Sequence, residues 1–365
     1  MSDIVTLPHT GVIAVLEKIF ETGGASAAEA SAVANGLVMA NLSGHDSHGV
    51  IRTPRYVEAG INGTYKYQQT ISAVIDTDSF ALVDGNAGLG HWVGGQAVDL
   101  GIRKAKANGV SVIGLRHAGH IGRIGGWAEQ ALEAGLVSIH FVNVSNASLV
   151  APFGGKGRRM STAPVAIGIP NENGEDFFLD FATSRIAEGK ALVALKGQKK
   201  VAHGDVVDGD GKPSDDPSVL YGDTKDDIAP NPRIGDGALV AVGDHKGSGL
   251  ALACELLAGA ITGNGPTGIK SDPGVYNGML SVYVDPAKMN DGHDGVSMVT
   301  EYIDWVRGCP PADPATPVMV PGDPERKARA DRMANGMPLS AETWDNILAS
   351  GDLLGLSREE LLKLV

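Results

Sequence analysis

Two cysteines in 365 residues are too few for a disulfide framework or a four-thiolate metal site. They stand far apart, Cys254 inside a helical pattern and Cys309 beside Pro310 and Pro311. A reducing compartment, the cytoplasm, fits that usage. No apolar run is long enough to span a bilayer, and Met1-Ser2-Asp3-Ile4 lacks the basic-then-apolar order of a secretory leader. Neither membrane insertion nor export is therefore expected. Blocks of five or more like charges are missing, and the formal net charge of -13 opposes nucleic acid or an anionic membrane as the main partner. An anionic substrate stays possible where local cations outweigh the global field. The chain has no H-E-x-x-H motif, no cysteine pair and no internal repeat.

Glycine is in excess: 50 residues, about 14% or roughly twice ordinary usage, spread through the chain. Many turns and close backbone approaches follow from that. With 43% apolar content the chain can bury a large core, and its length favours two compact units over one.

Val12, Ile13, Leu16, Ile19 and Phe20 recur at helical spacing until Gly23-Gly24 ends the helix. Ser26 with Glu29 forms a capping box that opens a second helix, whose apolar face is Ala30, Val33, Ala34, Leu37 and Val38. Pro54 starts a short third helix with Thr53 as its cap, and Asn62-Gly63 signals a turn. Residues 70–77 and 79–84 read as strands. From there helices and strands alternate: helix 93–108 closed by Gly109, strand 110–115, helix 126–134 closed by Gly135, strand 136–143, strands 164–170 and 177–181, and helix 186–195. Residues 199–232 are polar and rich in Gly, Asp and Pro, an irregular excursion. Strand 238–242 and helix 247–261 follow. Residues 285–309 hold a strand end and the polar stretch 290–295, and beyond the proline-rich loop 309–317 come helices 323–335 and 340–348.

The chemistry concentrates at Gly44-His45-Asp46-Ser47-His48-Gly49-Val50-Ile51-Arg52-Thr53-Pro54-Arg55-Tyr56. Imidazole and guanidinium on irregular backbone just ahead of a helix can place a proton-transfer group beside a carboxylate receptor, as a 2-oxo or 2-hydroxy acid requires. A dinucleotide fingerprint is sought first at Gly263-Asn264-Gly265-Pro266-Thr267-Gly268, which matches G-x-G-x-x-G by letter. It follows a helix, contains proline and leads to no clear helix, so it reads as a helix-terminating turn. Gly122 to Gly126 is better placed, between a strand and a helix whose free N–H groups can hold phosphate, with Arg123 as a nearby cation; a plain glycine turn is the alternative. The pairs His45/His48 and His117/His120 invite a metal reading, but no third ligand is fixed by motif, and no metal is expected. Asp180 sits among Phe177, Phe178, Leu179 and Phe181, a poor place for a charge unless a partner is provided, and a histidine would serve.

Ser47-His48-Gly49 followed by Arg52, Pro54, Arg55 and Tyr56 resembles the signature loop of the malate/L-lactate dehydrogenase superfamily. Similar motifs continue at 119–125, 151–155, 179–184, 245–247 and 321–325, covering nearly the whole chain. Within the superfamily, Ala40-Asn41-Leu42 leading into that loop is most similar to bacterial hydroxycarboxylate dehydrogenases. The resemblance implies an α/β fold whose cofactor domain is not a Rossmann fold but is built on a mixed sheet. Helices at both ends of the chain suggest a discontinuous unit, and the resemblance implies the same: a mainly helical domain of residues 1–75 with 310–365 carrying the catalytic loop, and an NAD(P)-binding domain of residues 76–309.

The resemblance further implies that Ser47, His48 and Asp180 form a hydroxyl, imidazole and carboxylate relay. In it His48 is the proton donor in reduction, oriented by Asp180 and favoured in its protonated form. Arg52 matches the position that binds the substrate carboxylate, and His120 lines the same pocket near the nicotinamide. Gly122, Arg123 and Ile124, then Phe178, Leu179, Asp180, Phe181 and Ala182, then His245 and Lys246, then Gly322, Asp323, Pro324, Glu325, Arg326 and Lys327 match segments that contact the dinucleotide. A homodimer is implied as well. Where relatives read Thr-Asn-Pro, this chain has Thr162-Ala163-Pro164, which bears on substrate preference. The expected activity is NAD(P)H-dependent interconversion of 2-oxo and 2-hydroxy acids, with NAD against NADP undecided. Rival readings are reduction of a cyclic imine such as a pyrroline or piperideine 2-carboxylate, a metal-dependent hydrolase on His45, His48, His117 and His120, and nucleotide binding without catalysis.

Overall fold

The computed structural model describes residues 4–222, 231–269, 274–289 and 294–365, so part of the polar excursion, the leading Met1-Ser2-Asp3 and most of the stretch 290–295 lie outside the described residues. The chain opens with β1 (Ile4–Leu7), α1 (His9–Thr22), α2 (Ala27–Leu42), the loop of interest and α3 (Thr53–Ile61). Next come β2 (Ser72–Asp76), β3 (Phe80–Asp84), α4 (Gly90–Asn108), β4 (Val110–Ala118), α5 (Gly125–Glu133), β5 (Val137–Val144) and β6 (Val150–Ala151). Then follow β7 (Val165–Ile169), β8 (Phe177–Phe181), α6 (Glu188–Lys196), β9 (Val206–Val207), β10 (Pro213–Ser214), α7 (Ser218–Tyr221), β11 (Ala238–Val240) and α8 (His245–Cys254). The last part is β12 (Asn277–Val284), α9 (Gly295–Arg307), α10 (Asp323–Asn335), β13 (Met337–Ser340), α11 (Ala341–Asp352) and α12 (Arg358–Leu362).

The main sheet has seven strands in the order β2-β3-β4-β12-β5-β7-β8. Only β3 and β4 run parallel; every other neighbouring pair is antiparallel. A Rossmann sheet is parallel with its ligand at a switch point, so this is the mixed, non-Rossmann α/β sheet that the resemblance implies. A second sheet, β10-β9-β11-β6, draws two short strands from the excursion, which is thus only partly irregular.

Local signals carry the first two helices. The capping box forms as expected, with the Ser26 side chain accepting from Glu29 N–H and the Glu29 carboxylate accepting from Ser26 N–H. Glu29 is fully buried and also accepts from the N–H groups of Gln68 and Gln69, so one carboxylate caps a helix and ties down a second segment. One apolar core joins both chain ends: Leu16, Phe20, Leu37 and Val57 pack with Met337, Trp344, Ile347 and Leu361. β1 pairs antiparallel with β13. On these contacts we propose the division into residues 1–75 with 310–365 and residues 76–309.

Four expectations need correction. Thr53 does not cap α3: Arg52 is the cap residue, Thr53 is already helical, and its buried hydroxyl has no partner among the described residues. β12 went unread although it is the central strand, because Asn277-Gly278 looks like a turn. Here the Asn277 side chain accepts from Ile121 N–H and donates to Asn143 O, while Gly278 lets Ala258 O approach where a Cβ would collide. α9 was missed because its apolar residues Met298, Tyr302 and Trp305 face outward and only Ile303 is buried. The helix expected over 247–261 starts at His245 and changes to a π-helical stretch over Glu255–Ile261. There the Glu255 carboxylate turns inward to accept from Ser161 N–H, Ser161 Oγ, Asn143 Nδ2 and Thr267 N–H.

Gly101, inside α4, lies so close to the fully buried ring of Tyr283 that a Cβ would overlap it. Helix propensity alone would favour alanine there by about 1 kcal/mol. Gly101→Ala is nonetheless expected to lower the unfolding free energy by about 1–3 kcal/mol, the usual cost of overpacking. Urea denaturation checks this, and an unchanged or higher midpoint would show that the ring gives way.

Candidate active site

The loop after α2 is two successive 3-10 turns, Asp46–His48 and Val50–Arg52, running straight into α3. Asn41, in the last turn of α2, fixes both. Its Nδ2 donates to Asp46 Oδ1 and its Oδ1 accepts from Val50 N–H, each at 2.7 Å. A Cβ on Gly49 would strike Asn41 Oδ1, so this position of the loop has room only for glycine. One face of α10 holds the loop from outside. Glu325 accepts from or pairs with His45 Nε2 at 3.1 Å, Arg329 donates to Ser43 Oγ at 2.8 Å, and Arg332 donates to Asp46 Oδ1 at 2.5 Å and to Asn41 O. α10 buries no residue of its own, and charge pairing at helical spacing does the work that an apolar stripe usually does.

Held this way, the loop brings the expected residues together. Ser47 Oγ lies 3.0 Å from His48 Nδ1, and Arg52 Nε donates to Ser47 O at 2.6 Å. Among the described residues the two terminal nitrogens of Arg52 have no partner, which leaves its two-pronged edge free. The His48 and His120 rings stack at 5.7 Å with 22° between planes. Desolvation, then the neighbouring Arg52, lowers His48 from 6.5 to about 3. Desolvation and Arg52 also hold His120 well below its ordinary range. Both imidazoles are therefore neutral near pH 7.

The relay through Asp180 is not what the structure places. The Asp180 carboxylate accepts from Gly125 N–H at 2.9 Å and lies 3.9 Å from Arg123 Nη1, with no bond to His48. Burial raises its pKa, against the pull of Arg123 and His45. Asp180 thus anchors the start of α5, while the charged groups facing His48 disfavour its protonated form.

The expected cofactor segments meet in part. Gly122 has φ +71°, and a Cβ there would collide with His91. Ile124 is buried, and Arg123 and Arg326 lie over the Phe178 ring at 5.9 and 5.7 Å. Gly322, φ +101°, keeps the start of α10 open beside Phe178 and Arg326. Asp323 is paired with Arg307 and Arg326. His245 and Lys246 stand apart at the start of α8, where His245 meets the Phe153 ring at 5.8 Å. The irregular segment after β8 bridges the two places: Val242 N–H donates to Thr183 O, and Arg185 N–H donates to Val240 O. Gly263 to Gly268 ends the π-helical stretch, with positive φ at Gly263, Gly265 and Gly268.

The four histidines of the metal reading do not converge. His45 turns to Glu325 and His117 to Asp84 at 3.0 Å, away from the His48/His120 stack. Among the described residues no three His, Cys, Asp or Glu side chains are placed to share an ion. Ala163 adopts φ +30°, a conformation that asparagine tolerates better than alanine. Asn41, Tyr65 and Glu129, the last of which pairs with both Arg123 and Arg329, received no role from the sequence. Asn41 is the one polar side chain in an otherwise apolar helix end, a signal that could have found it.

The family profile "Malate/L-lactate dehydrogenase" matches residues 7–348. The chain is 33% identical over 350 residues to hydroxycarboxylate dehydrogenase B of Escherichia coli, covering 95% of this chain and 93% of that one. Its fold superimposes with a TM-score of 0.90 on an E. coli structure provisionally assigned as a malate/lactate dehydrogenase, at 32% identity and covering 99% and 98% of the two chains. A delta1-piperideine-2-carboxylate reductase from Pseudomonas syringae gives 0.82 at 28% identity, covering 95% and 99%.

Buried neutral histidines set a pH dependence. Burial lowers His91 to about 4 and His140 to about 3, as it lowers His48. Below 6.5 the unfolded chain protonates these imidazoles and the folded chain does not, so stability falls as pH drops from 6.5 toward 4. Each fully engaged histidine contributes a slope of about 1.4 kcal/mol per pH unit. Asp180 acts in the opposite direction, since its raised pKa lets the folded state hold the extra proton. Urea midpoints at pH 7.5 and pH 5 are expected to differ clearly, with the lower at pH 5; equal midpoints would contradict the assignment.

Proposed function

This chain belongs to the malate/L-lactate dehydrogenase family, and we propose that within it the protein interconverts 2-oxo acids and 2-hydroxy acids with NAD(P)H. The observation that carries the reading is the Arg52 guanidinium, its terminal nitrogens free, beside the stacked His48 and His120. A planar, doubly donating cation fits a carboxylate in two prongs, and an imidazole beside it serves the proton that accompanies reduction of a carbonyl. His48 is the proton-transfer group in this reading and Ser47, through its contact with Nδ1, orients the ring. A substrate carboxylate on Arg52 offsets the charge that depresses His48, so arrival of the anion raises the affinity of His48 for a proton.

A nicotinamide cofactor supplies the hydride when bound. The residues suited to hold it are Gly122 with Arg123, Phe178 to Ala182, and the start of α10 from Gly322 to Lys327, with His245 and Lys246 at the start of α8. The left-handed Gly322 and the buried Arg123 Nη1 and Glu325 Oε2, neither of which makes a hydrogen bond among the described residues, support the fit. Outward-facing Met298, Tyr302 and Trp305 on α9, and separately the exposed Leu252 of α8 and Leu256 of the π-helical stretch, support a homodimer. Among the described residues no helix is long and apolar enough to cross a membrane, and free thiols at Cys254 and Cys309 suit the cytoplasm.

A second reading keeps the fold and cofactor but takes a cyclic imine 2-carboxylate. Its supporting observation is the neutrality of both histidines: an iminium brings its own proton, and hydride addition to it needs no donor.

NADH and NADPH oxidation against a panel of 2-oxo acids and cyclic imines separates these readings. Arg52→Met is expected to lower kcat/KM on the best substrate by about 10- to 200-fold, the worth of a charge-assisted contact of roughly 1.5–3 kcal/mol. Arg52→Lys, which keeps the charge and loses the fork, should fall between, with NAD(P)H affinity unchanged in both. His48→Asn should cut turnover of an oxo acid by roughly 10²- to 10⁴-fold and spare an iminium. Near-normal kcat/KM for Arg52→Met would make another cation, Arg55 or Lys246, the carboxylate receptor.

A further inference from the structure

His120 is held by two phenols. Its backbone N–H donates to Tyr65 Oη at 3.1 Å, and its ring Nδ1 meets Tyr56 Oη in a short hydrogen bond. Tyr56 is 2% exposed on α3, and its ring packs against Tyr65 at 6.1 Å and His91 at 5.9 Å. Burial raises the Tyr56 phenol far above its ordinary range and keeps His120 neutral, so the shared proton sits on oxygen. A phenol that donates to Nδ1 leaves that nitrogen without a hydrogen of its own, and the single ring N–H must be on Nε2. Across the ring, Nε2 has no partner among the described residues and is not sealed from solvent, whereas both nitrogens of nearby His91 are.

We propose that Tyr56 is a positioning residue that fixes His120 in its Nε2–H tautomer, so that the ring stacked on His48 presents a constant hydrogen-bond donor to the 2-oxygen of the substrate. The assignment rests on the oxidoreductase reading for its purpose but not for its geometry. A donor on the reacting oxygen strengthens as negative charge develops there, which is where such a bond assists. Tyr56 Oη is also 3.5 Å from His120 O. If His120 takes up a proton, the hydroxyl can swing its hydrogen toward that carbonyl and accept from Nδ1–H. One side chain therefore keeps the ring in place in either charge state.

The test is nitrogen NMR of the full-length protein labelled with 15N-histidine, the His120 signals being identified by their loss in His120→Asn. In the unsubstituted protein His120 should show a bare Nδ1 and a protonated Nε2. Tyr56→Phe should release the ring to a mixture of tautomers, while Tyr65→Phe, which touches only the backbone bond, should leave the tautomer as it was. With the hydroxyl gone, kcat on a 2-oxo acid should fall by about 10-fold, as for the loss of one well-placed hydrogen bond, with NAD(P)H affinity unchanged. A proton on Nδ1 in the unsubstituted protein overturns the proposal, and that measurement needs no variant to fold. An unchanged tautomer in Tyr56→Phe overturns it too, whatever happens to activity. If no oxo acid is turned over but the tautomer shifts as stated, the assignment of Tyr56 stands and the substrate reading fails.

Discussion

The side-chain amide of Asn41 reaches forward from the end of α2 and spans the loop that follows, accepting from Val50 N–H while donating to Asp46. Ser47, His48 and Gly49 are caught between those two bonds, so the placement of His48 and Arg52 is decided by a residue that does no chemistry. Because the amide sits in the space a Cβ of Gly49 would need, the glycine and the asparagine are a single requirement. The C-terminal part of the chain then enters through α10, whose Glu325, Arg329 and Arg332 meet His45, Ser43 and Asp46. The loop of residues 47–52 is thus held by residues nearly 300 positions later.

Electrostatics at the site follow from what surrounds it. Burial, and after it the charge of Arg52, depresses both His48 and His120, and among the described residues no carboxylate is bonded to either ring. The ground state of the protein is therefore a neutral imidazole pair facing a free guanidinium, which is an unfavourable place for a cation and a favourable one for an anion. An acid that binds there supplies the missing negative charge. Asp180, which would have raised the affinity of His48 for a proton, instead accepts from Gly125 N–H at the start of α5 and faces Arg123.

Much of this was legible in the residues, and the exceptions have physical causes. The capping box at Ser26 and Glu29 and the bounds of α10 follow from local rules, while the loop from Gly44 to Tyr56 and the glycine turn at Gly122 were marked by their residue types although α10 and His91 fix their form. The rejected Gly263 to Gly268 match is a turn closing a helix, as its proline and position implied. β12 was hidden because Asn277-Gly278 carries the letters of a turn while serving the core, one residue as a hydrogen-bond bridge and the other as a gap for a neighbouring carbonyl. α9 was hidden because its apolar face points outward, so burial periodicity had nothing to follow. The partner of Asp180 was misread because burial among Phe177, Phe178 and Phe181 demands a compensating donor without saying which, and the Gly125 N–H supplied it, with the Arg123 charge 3.9 Å away.

The central claim is that a carboxylate lands on Arg52 in front of His48 and His120, with the dinucleotide laid along segments far apart in sequence. A crystal structure of the ternary complex with NAD(P) and oxamate, an unreactive 2-oxo acid mimic, tests it most directly. The account predicts the carboxylate in two prongs on the Arg52 terminal nitrogens, the adjacent oxygen facing the histidine pair, and the dinucleotide passing Gly122, Phe178 and Gly322. Oxamate bound away from Arg52, or the dinucleotide seated at Gly263 to Gly268, would contradict it.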